Sequence, residues 1–259
     1  MPRSLRRLLA ALLALTLLVL GLMLSLTQWL PRLAGIWLPA QTRIVLDGSP
    51  RWRDGALWFP AVRYLAGECV LASVEQASLG WHHRRWRLNA HQVTLDSDCL
   101  QQLPAGEQAG APKSLAAWQQ LLPGADIQLD NLAIAPWQQY AGRFDLSLTP
   151  EQQTLRYRGD NLSVDARLQG QHLEVEQLTL RHQALPQPVT LHGAFDLPEF
   201  ANGLPVSGTL EGDLQYAGEP LRLTLDWQQQ QGKLELYTRG DGQPLLSLPW
   251  QADPQQIRI

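Results

Sequence analysis

Leu221-Arg-Leu-Thr-Leu-Asp-Trp227 alternates apolar and polar side chains without a break. Successive side chains of a strand point to opposite faces. This run therefore puts Leu221, Leu223, Leu225 and Trp227 on one face and Arg222, Thr224 and Asp226 on the other. The same period recurs on either side. Val206, Gly208, Leu210, Gly212 and Leu214 precede it across the turn Gly218-Glu219-Pro220, and Leu234 and Leu236 follow it. Further upstream stand Phe144, Leu146 and Leu148, then Leu162, Val164, Ala166 and Leu168, then Val189, Leu191, Gly193 and Phe195. Thr149-Pro150, Gly159-Asp160 and Gly240-Asp241-Gly242 supply turn residues between these runs. Near the start, Arg51-Trp-Arg53 and Ala56-Leu-Trp-Phe59 flank Asp54-Gly55, a two-residue hairpin signal. The fold class is mainly β.

One six-residue phrase recurs in degenerate form: Val74-Glu-Gln-Ala-Ser-Leu79, Ala90-His-Gln-Val-Thr-Leu95, Leu129-Asp-Asn-Leu-Ala-Ile134 and Val175-Glu-Gln-Leu-Thr-Leu180. Its irregular spacing excludes a fixed-period solenoid. Two explanations stand: one strand type laid down repeatedly along an extended sheet, or the general likeness of amphipathic strands. Leu103–Pro112 is rich in Gly, Ala and Pro and reads as a linker. Ser114 then caps a short helix, Leu115–Leu122, which Pro123-Gly124 stops.

The alternation assigns an apolar face to Leu146, Leu148, Val164, Leu168, Val175, Leu191, Leu210, Leu223, Leu225, Leu234 and Leu236. In a sandwich these rows would be core; in an open sheet they would line a path. Periodicity alone does not separate the two.

Leu8–Leu30 carries no charged side chain, and Arg3, Arg6 and Arg7 precede it while only Arg32 follows closely. Such a run makes roughly 34 Å of helix, enough for a hydrocarbon core of about 30 Å. The arginines place the N-terminus in the cytoplasm and the rest of the chain outside it. Trp29 and Trp37 stand where interfacial aromatics belong. A cleaved signal peptide is the competing reading, but no Ala-x-Ala site follows and the apolar run is long for one.

Four of the 21 basic residues lie in this N-terminal stretch, so the exported part holds 17 bases against 24 acids, a formal charge of −7. A partner that is itself a polyanion wants the opposite sign, which disfavours nucleic acid. Cys69 and Cys99 are the chain's two cysteines. In an oxidising compartment they are expected to form a disulfide rather than remain as buried free thiols. Two thiolates with no further clustered ligand make a poor metal site, and no metal or cofactor is expected.

No enzyme motif is present: there is no Gly-x-Ser-x-Gly, no His-Glu-x-x-His and no phosphate-cradling glycine loop. His82-His-Arg-Arg-Trp-Arg87 is the one basic-aromatic cluster, suited to anionic head groups or simply to a solvated turn. Asp96-Ser97-Asp98 lacks the later ligands of a calcium loop. Of the ten tryptophans, Trp58, Trp227 and Trp250 fall on strands, where core packing is the ordinary role.

Leu33-Ala-Gly-Ile-Trp-Leu-Pro39, Thr42-Arg-Ile44 and Arg63-Tyr-Leu-Ala-Gly-Glu-Cys69 resemble the N-terminal region of the YdbH-like proteins. So do Leu95-Asp-Ser-Asp-Cys-Leu100, Pro112-Lys-Ser-Leu-Ala-Ala-Trp118, Gly203-Leu-Pro-Val-Ser-Gly208, Leu225-Asp-Trp227 and Pro244-Leu-Leu-Ser-Leu-Pro-Trp250, in the family's order. None of these segments is catalytic; their joint order carries the resemblance. It implies an AsmA-like architecture: an inner-membrane anchor followed by an extended, curved antiparallel β-sheet whose apolar groove crosses the periplasm. It also implies phospholipid transport between inner and outer membranes, and a small outer-membrane lipoprotein of the YnbE kind as partner. Family members are several times longer, so this chain is read as an N-terminal portion or a truncated product, unable alone to bridge two membranes.

The expected organisation is a cytoplasmic tail and anchor over residues 1–32, a β region over 33–102, the linker and short helix over 103–125, and a β-groove segment over 126–259. The function so implied is intermembrane phospholipid transport; the alternatives are an anchored envelope scaffold without conduit activity and, least favoured, an enzyme acting on envelope material. A reporter that works only outside the cytoplasm, fused after Pro39, is expected to be active and membrane-bound. A soluble mature chain beginning near Ala40 would overturn the anchor.

Overall fold

The structure is a computed structural model, and it describes residues 42–101, 124–183, 185, 187–198, 205–216, 218–229, 231–238, 242–252 and 257–258. The expected span Leu8–Leu30 and the expected helix Leu115–Leu122 lie outside these residues. Among the described residues no helix is long and apolar enough to cross a membrane.

Alternation becomes strands where it was expected, and more besides. The strands are β1 (Thr42–Asp47), β2 (Arg51–Arg53), β3 (Ala56–Ala66), β4 (Cys69–His82), β5 (Arg85–Asp96), β6 (Ala125–Ala135), β7 (Gly142–Leu148) and β8 (Gln153–Gly159). There follow β9 (Leu162–Gln169), β10 (His172–Leu180), β11 (Val189–Asp196), β12 (Ser207–Tyr216), β13 (Glu219–Gln228), β14 (Gln231–Thr238), β15 (Pro244–Ala252) and β16 (Ile257–Arg258). They form one 16-stranded sheet in chain order, with β1 and β2 end to end along the same edge of β3, against Ala61–Ala66 and Ala56–Trp58 respectively. The β2–β3 hairpin turns at Asp54-Gly55 with φ of 52° and 76°, as a two-residue turn of matching twist requires. The two β regions that the sequence separates are thus one continuous sheet.

The expectation of an antiparallel sheet needs one correction. β5 and β6 pair in parallel, with Leu88 opposite Ile127 and Leu95 opposite Ile134. Parallel neighbours cannot be joined by a tight turn, because the chain must return to the end where it began. Residues 97–124 make that return. They open with a helix that was not expected, α1 (Ser97–Gln101), and Asp96 explains it. Its carboxylate accepts from the backbone N–H of Asp98 and of Cys99, both at 3.0 Å, so Asp96-Ser97-Asp98 is a helix cap. Ser97 Oγ donates to the Ala135 carbonyl at 2.7 Å and ties the helix start to β6. The Cys69–Cys99 disulfide, with Cα atoms 5.8 Å apart, joins α1 to the start of β4. Leu71, beside it in sequence, is 2% exposed, the lowest value among the described apolar residues.

Contacts between elements run almost entirely between neighbours in the sheet. α1 touches β4 and β6, and the 3-10 turn Gln138–Tyr140 touches β6. Among the described residues the sheet is therefore a single layer, its strand order running from β1 to β16 without closing. One buried apolar cluster forms where β3 to β6 meet, around Phe59, Ala77, Ala90, Val93 and Leu129.

That cluster coincides with the recurring phrase. In each copy two polar residues separate apolar ones, which breaks strict alternation. The structure shows what the break does. Gln76 has φ of 51°, and Val74 and Ala77 on either side of the polar pair pack into the same cluster, as do Ala90 and Val93. The extra residue restores the apolar side chains to one face, as a β-bulge does. Because β4, β5 and β6 all carry it at the same level, they stay in step: Glu75 faces Gln92, and Gln92 faces Asn131. β7 carries no such residue, so the register slips between Leu129 and Leu132. β10 slips against both neighbours at Val175-Glu176-Gln177. Bulges increase local twist and bend the strand, so three in line curve the sheet where its core sits.

Replacing Cys69 and Cys99 together by serine is expected to lower unfolding free energy by about 3–4 kcal/mol, the entropy of closing a loop of this length. The measurement is the urea midpoint with and without reductant. An unchanged midpoint, together with free alkylation of both thiols in the unreduced parent, would count against the bridge.

Candidate functional site

Residues that oppose each other across paired strands project from the same face of a sheet. The register can therefore be followed from strand to strand. Starting at Leu146, one row runs through Ile127, Leu88, Leu79, Leu57 and Trp52 toward the first edge. In the other direction it runs through Leu155, Ala166, Val175, Gly193, Leu210, Leu225, Leu234 and Leu248. No polar side chain interrupts it from β2 to β15.

A second row flanks it: Leu129, Phe144, Tyr157, Val164, Leu178, Leu191, Gly212, Leu223, Leu236 and Leu246. On the other side a third row begins at Trp81 and Trp86 and passes through Ala125, Leu148, Gln153, Leu168, Leu173, Phe195, Gly208, Trp227 and Gly232 to Trp250. All eleven apolar residues singled out in the sequence fall in these three rows. The strip is about 60 Å long at 4.8 Å per strand, and its rows are roughly 7 Å apart.

Sequence reading missed the near half of this strip. Leu57, Leu79, Leu88 and Ile127 continue it across β3 to β6, where β3 is apolar on both faces and the bulges of β4 to β6 interrupt the alternation that marks the later strands. Trp58 departs from Trp227 and Trp250: it pairs with Ser78 and lies on the opposite face.

No second layer covers the strip among the described residues, and most of its side chains keep partial exposure. Leu246 and Leu248 near the far end are 45% and 39% exposed. Glycine shapes its far half. A Cβ on Gly232 would overlap the Trp250 indole, and one on Gly208 would overlap the Phe195 ring. Aromatic rings thus occupy the space that a side chain at these glycines would need. Trp227, 5% exposed, stacks at a tilt on Trp250 with centroids 4.5 Å apart, and its Nε1–H donates to the Pro205 carbonyl.

The opposite face is charged and largely self-neutralising. Asp165 accepts from Arg158 at 2.6 Å and from Arg156 at 3.3 Å, and Arg167 pairs with Glu176 at 2.5 Å. Arg85 pairs with Asp126 at 2.8 Å, and Lys233 with Glu235 at 2.5 Å. The hydrogen bonds from Lys233 and Tyr237 hold the Glu235 carboxyl below the usual carboxylate range. His172 and Ser207 do the same for Asp196 by hydrogen bonding. Among the described residues two polar side chains fall on the strip, Gln153 in the third row, whose amide donates to the Thr149 carbonyl at 3.0 Å, and Tyr157 in the second. Its hydroxyl, pushed up by burial, donates to the Tyr140 carbonyl, so the ring alone faces the apolar side. Among the described residues no cluster of ligating side chains suits a metal.

Gly232→Val is expected to displace the Trp250 ring and destabilise the chain by about 1–3 kcal/mol, an overpacking cost. Gly242, whose added Cβ would meet nothing within 4 Å, serves as the control for substitution. Equal urea midpoints for Gly232→Val and Gly242→Ala would show that the ring does not need the bare backbone.

The YdbH-like family, described as intermembrane phospholipid transport protein YdbH, matches residues 11–259. A protein of Escherichia coli (strain K12) named probable phospholipid transport protein YdbH is 45% identical over 254 residues, which is 97% of this chain and 29% of that protein. The chain therefore spans less than a third of the length of that relative. No solved structure matches it. A chain-long family match, carried by a sheet with one unbroken apolar face, shows that this chain belongs to the YdbH-like family.

Proposed function

We propose that this chain is held in the inner membrane by a helix over Leu8–Leu30, and that its sheet stands in the periplasm as a section of a conduit for phospholipids travelling between the two membranes. The single observation that carries the reading is the unbroken apolar row from Trp52 to Leu248 with no layer packed on it among the described residues. An acyl chain laid along that row leaves water at a gain of about 0.8 kcal/mol per buried methylene. Head groups stay in solvent at the rim, and the charged face remains wet. The printed name of the relative, a probable phospholipid transport protein, supports the cargo class. A small outer-membrane lipoprotein of the YnbE kind is the partner proposed for the far end of the longer assembly. Nothing in this reading asks the chain to make or break a covalent bond.

The ordinary alternative is a scaffold in which the leucine rows are plain core. It asks for a second layer that would cover them, and none lies over the strip among the described residues; Val175, Leu210 and Trp227 are buried with only neighbouring strands around them.

The test uses photo-crosslinking side chains introduced singly in cells. At Leu210 and Leu223 they are expected to capture phospholipid, and at Arg222 and Thr224, on the other face, they are not. Leu210→Asp or Leu223→Arg should cut capture at neighbouring strip positions by about tenfold, equivalent to losing two buried methylenes, while membrane anchoring persists. Equal labelling of both faces, or none from either, would sink the conduit.

A further inference from the structure

One corner of the sheet combines features that the strip alone does not use. The β4–β5 hairpin turns at His83-Arg84, with φ of 48° and 64°. Two-residue turns of this geometry favour Asn and Gly, whereas here a histidine and an arginine occupy the tip. Just inside it, Trp81 and Trp86 face each other on the strip side, edge to face, with centroids 4.8 Å apart. They are 52% and 40% exposed, and Trp52 on the neighbouring hairpin is 65% exposed on the same face. Large aromatic rings left in water on the edge of an apolar strip are out of place for core, and suited to the boundary between hydrocarbon and water.

The charges of this corner are equally unspent. Arg53 takes the Asp54 carboxylate at 3.2 Å and Arg85 takes that of Asp126 at 2.8 Å. Arg51, Arg84 and Arg87 have no acidic partner among the described residues, in a chain whose exported part carries more acids than bases. Arg87 lies on the face opposite the tryptophans, and Arg84 projects from the turn. The corner thus offers rings on one side and free guanidinium groups around them, the pairing that an anionic phospholipid surface meets with acyl chains and phosphates.

Its position fits. β5 lies about 14 Å, three strand spacings, from the first edge of the sheet. The segment from Leu30 to Thr42 reaches at most about 40 Å. Thr42 pairs with Ala66, at the other end of β3 from Ala56, so the tether enters the sheet about 33 Å along the strands from the corner. If the span Leu8–Leu30 anchors the chain, as proposed above and on which this inference rests, a tether of this reach brings the corner to the bilayer with the strands lying along the membrane. We propose that this corner docks on an anionic phospholipid bilayer, with Trp52, Trp81 and Trp86 in the head-group layer and Arg84 and Arg87 on phosphates. It is the mouth at which lipid passes from the membrane onto the strip.

The experiment uses the full chain reconstituted in vesicles of phosphatidylcholine with about 30% phosphatidylglycerol, the charged lipid supplying the field that cationic side chains sense. A fluorescent label is attached at His83→Cys or, as control, at Gln171→Cys, in the β9–β10 turn on the same rim. That control lies about 24 Å further along the sheet. The bridged native cysteines do not react. Lipids with nitroxide head groups are expected to quench the label at position 83 several-fold more than that at 171. The difference should disappear in Arg84→Glu/Arg87→Glu and in Trp81→Ala/Trp86→Ala, and in vesicles of phosphatidylcholine alone. Equal quenching at both positions in the parent, or quenching at 83 indifferent to charge reversal and to lipid charge, would overturn the docking corner. Photo-capture of lipid at Leu210 in the same vesicles separates the two proposals. Capture with equal quenching sinks the corner and leaves the conduit, while quenching at 83 without capture leaves the corner and sinks the conduit.

Discussion

When two strands exchange backbone hydrogen bonds, opposing residues send their side chains to the same side, so a single-residue slip would throw a whole strand's apolar set into the charged face. Every property of this sheet follows from how strictly that register is kept from β2 to β15. With Leu146 opposite Ile127 and Leu155, the hydrophobic side of β7 continues those of its neighbours. One step along, Asp145 meets Gln128 and Arg156, and the polar side continues likewise. Neither face is assembled from a tertiary core. Both are consequences of the ladder, and this is how a chain with few buried residues keeps an unbroken apolar surface.

The bulges are where that rule is bent without being broken. A curved sheet needs some strands to carry more backbone than others, and an extra residue would ordinarily invert the faces. Doubling the polar position, as in Glu75-Gln76, His91-Gln92, Asp130-Asn131 and Glu176-Gln177, inserts the residue and restores the phase. Three adjacent strands do this together, so curvature is gained with pairing intact; in β10 it is done once and the ladder slips. The recurring phrase is thus neither a repeat unit nor a coincidence of amphipathic strands. It is the sequence form of a bend.

Much of this was legible before any coordinates. The alternating runs at 144–148, 162–168, 189–195, 206–214, 221–227 and 234–236 became strands, while β8 carried no run that was read and β10 breaks the period at Glu176-Gln177. The eleven apolar residues share one face because a period of two leaves no freedom once pairing is fixed. Three things were not legible. Asp96-Ser97-Asp98 looked like a sparse acidic cluster, since a cap and a ligand set share the same residue types; only the N–H groups of Asp98 and Cys99 distinguish them. The parallel junction of β5 and β6 depends on which strand lies beside which, and periodicity carries no information on neighbours. The near half of the strip was overlooked because Leu79 and Leu88 belong to strands whose alternation the bulges interrupt, and Leu57 to a strand whose start, Ala56-Leu-Trp-Phe59, is apolar on both faces.

A single layer in which each strand leans only on the next has an unusual relation between size and architecture. In a sandwich or barrel, adding a strand repacks a shared core. Here an additional hairpin lengthens the apolar path by about 9.6 Å and leaves every existing pair as it was. Reach is therefore set by strand count alone, much as the span of a ladder is set by its rungs. A defect in one strand is felt by its two neighbours and little further, so such a chain can vary its length by gain or loss of hairpins while the surface it offers stays the same.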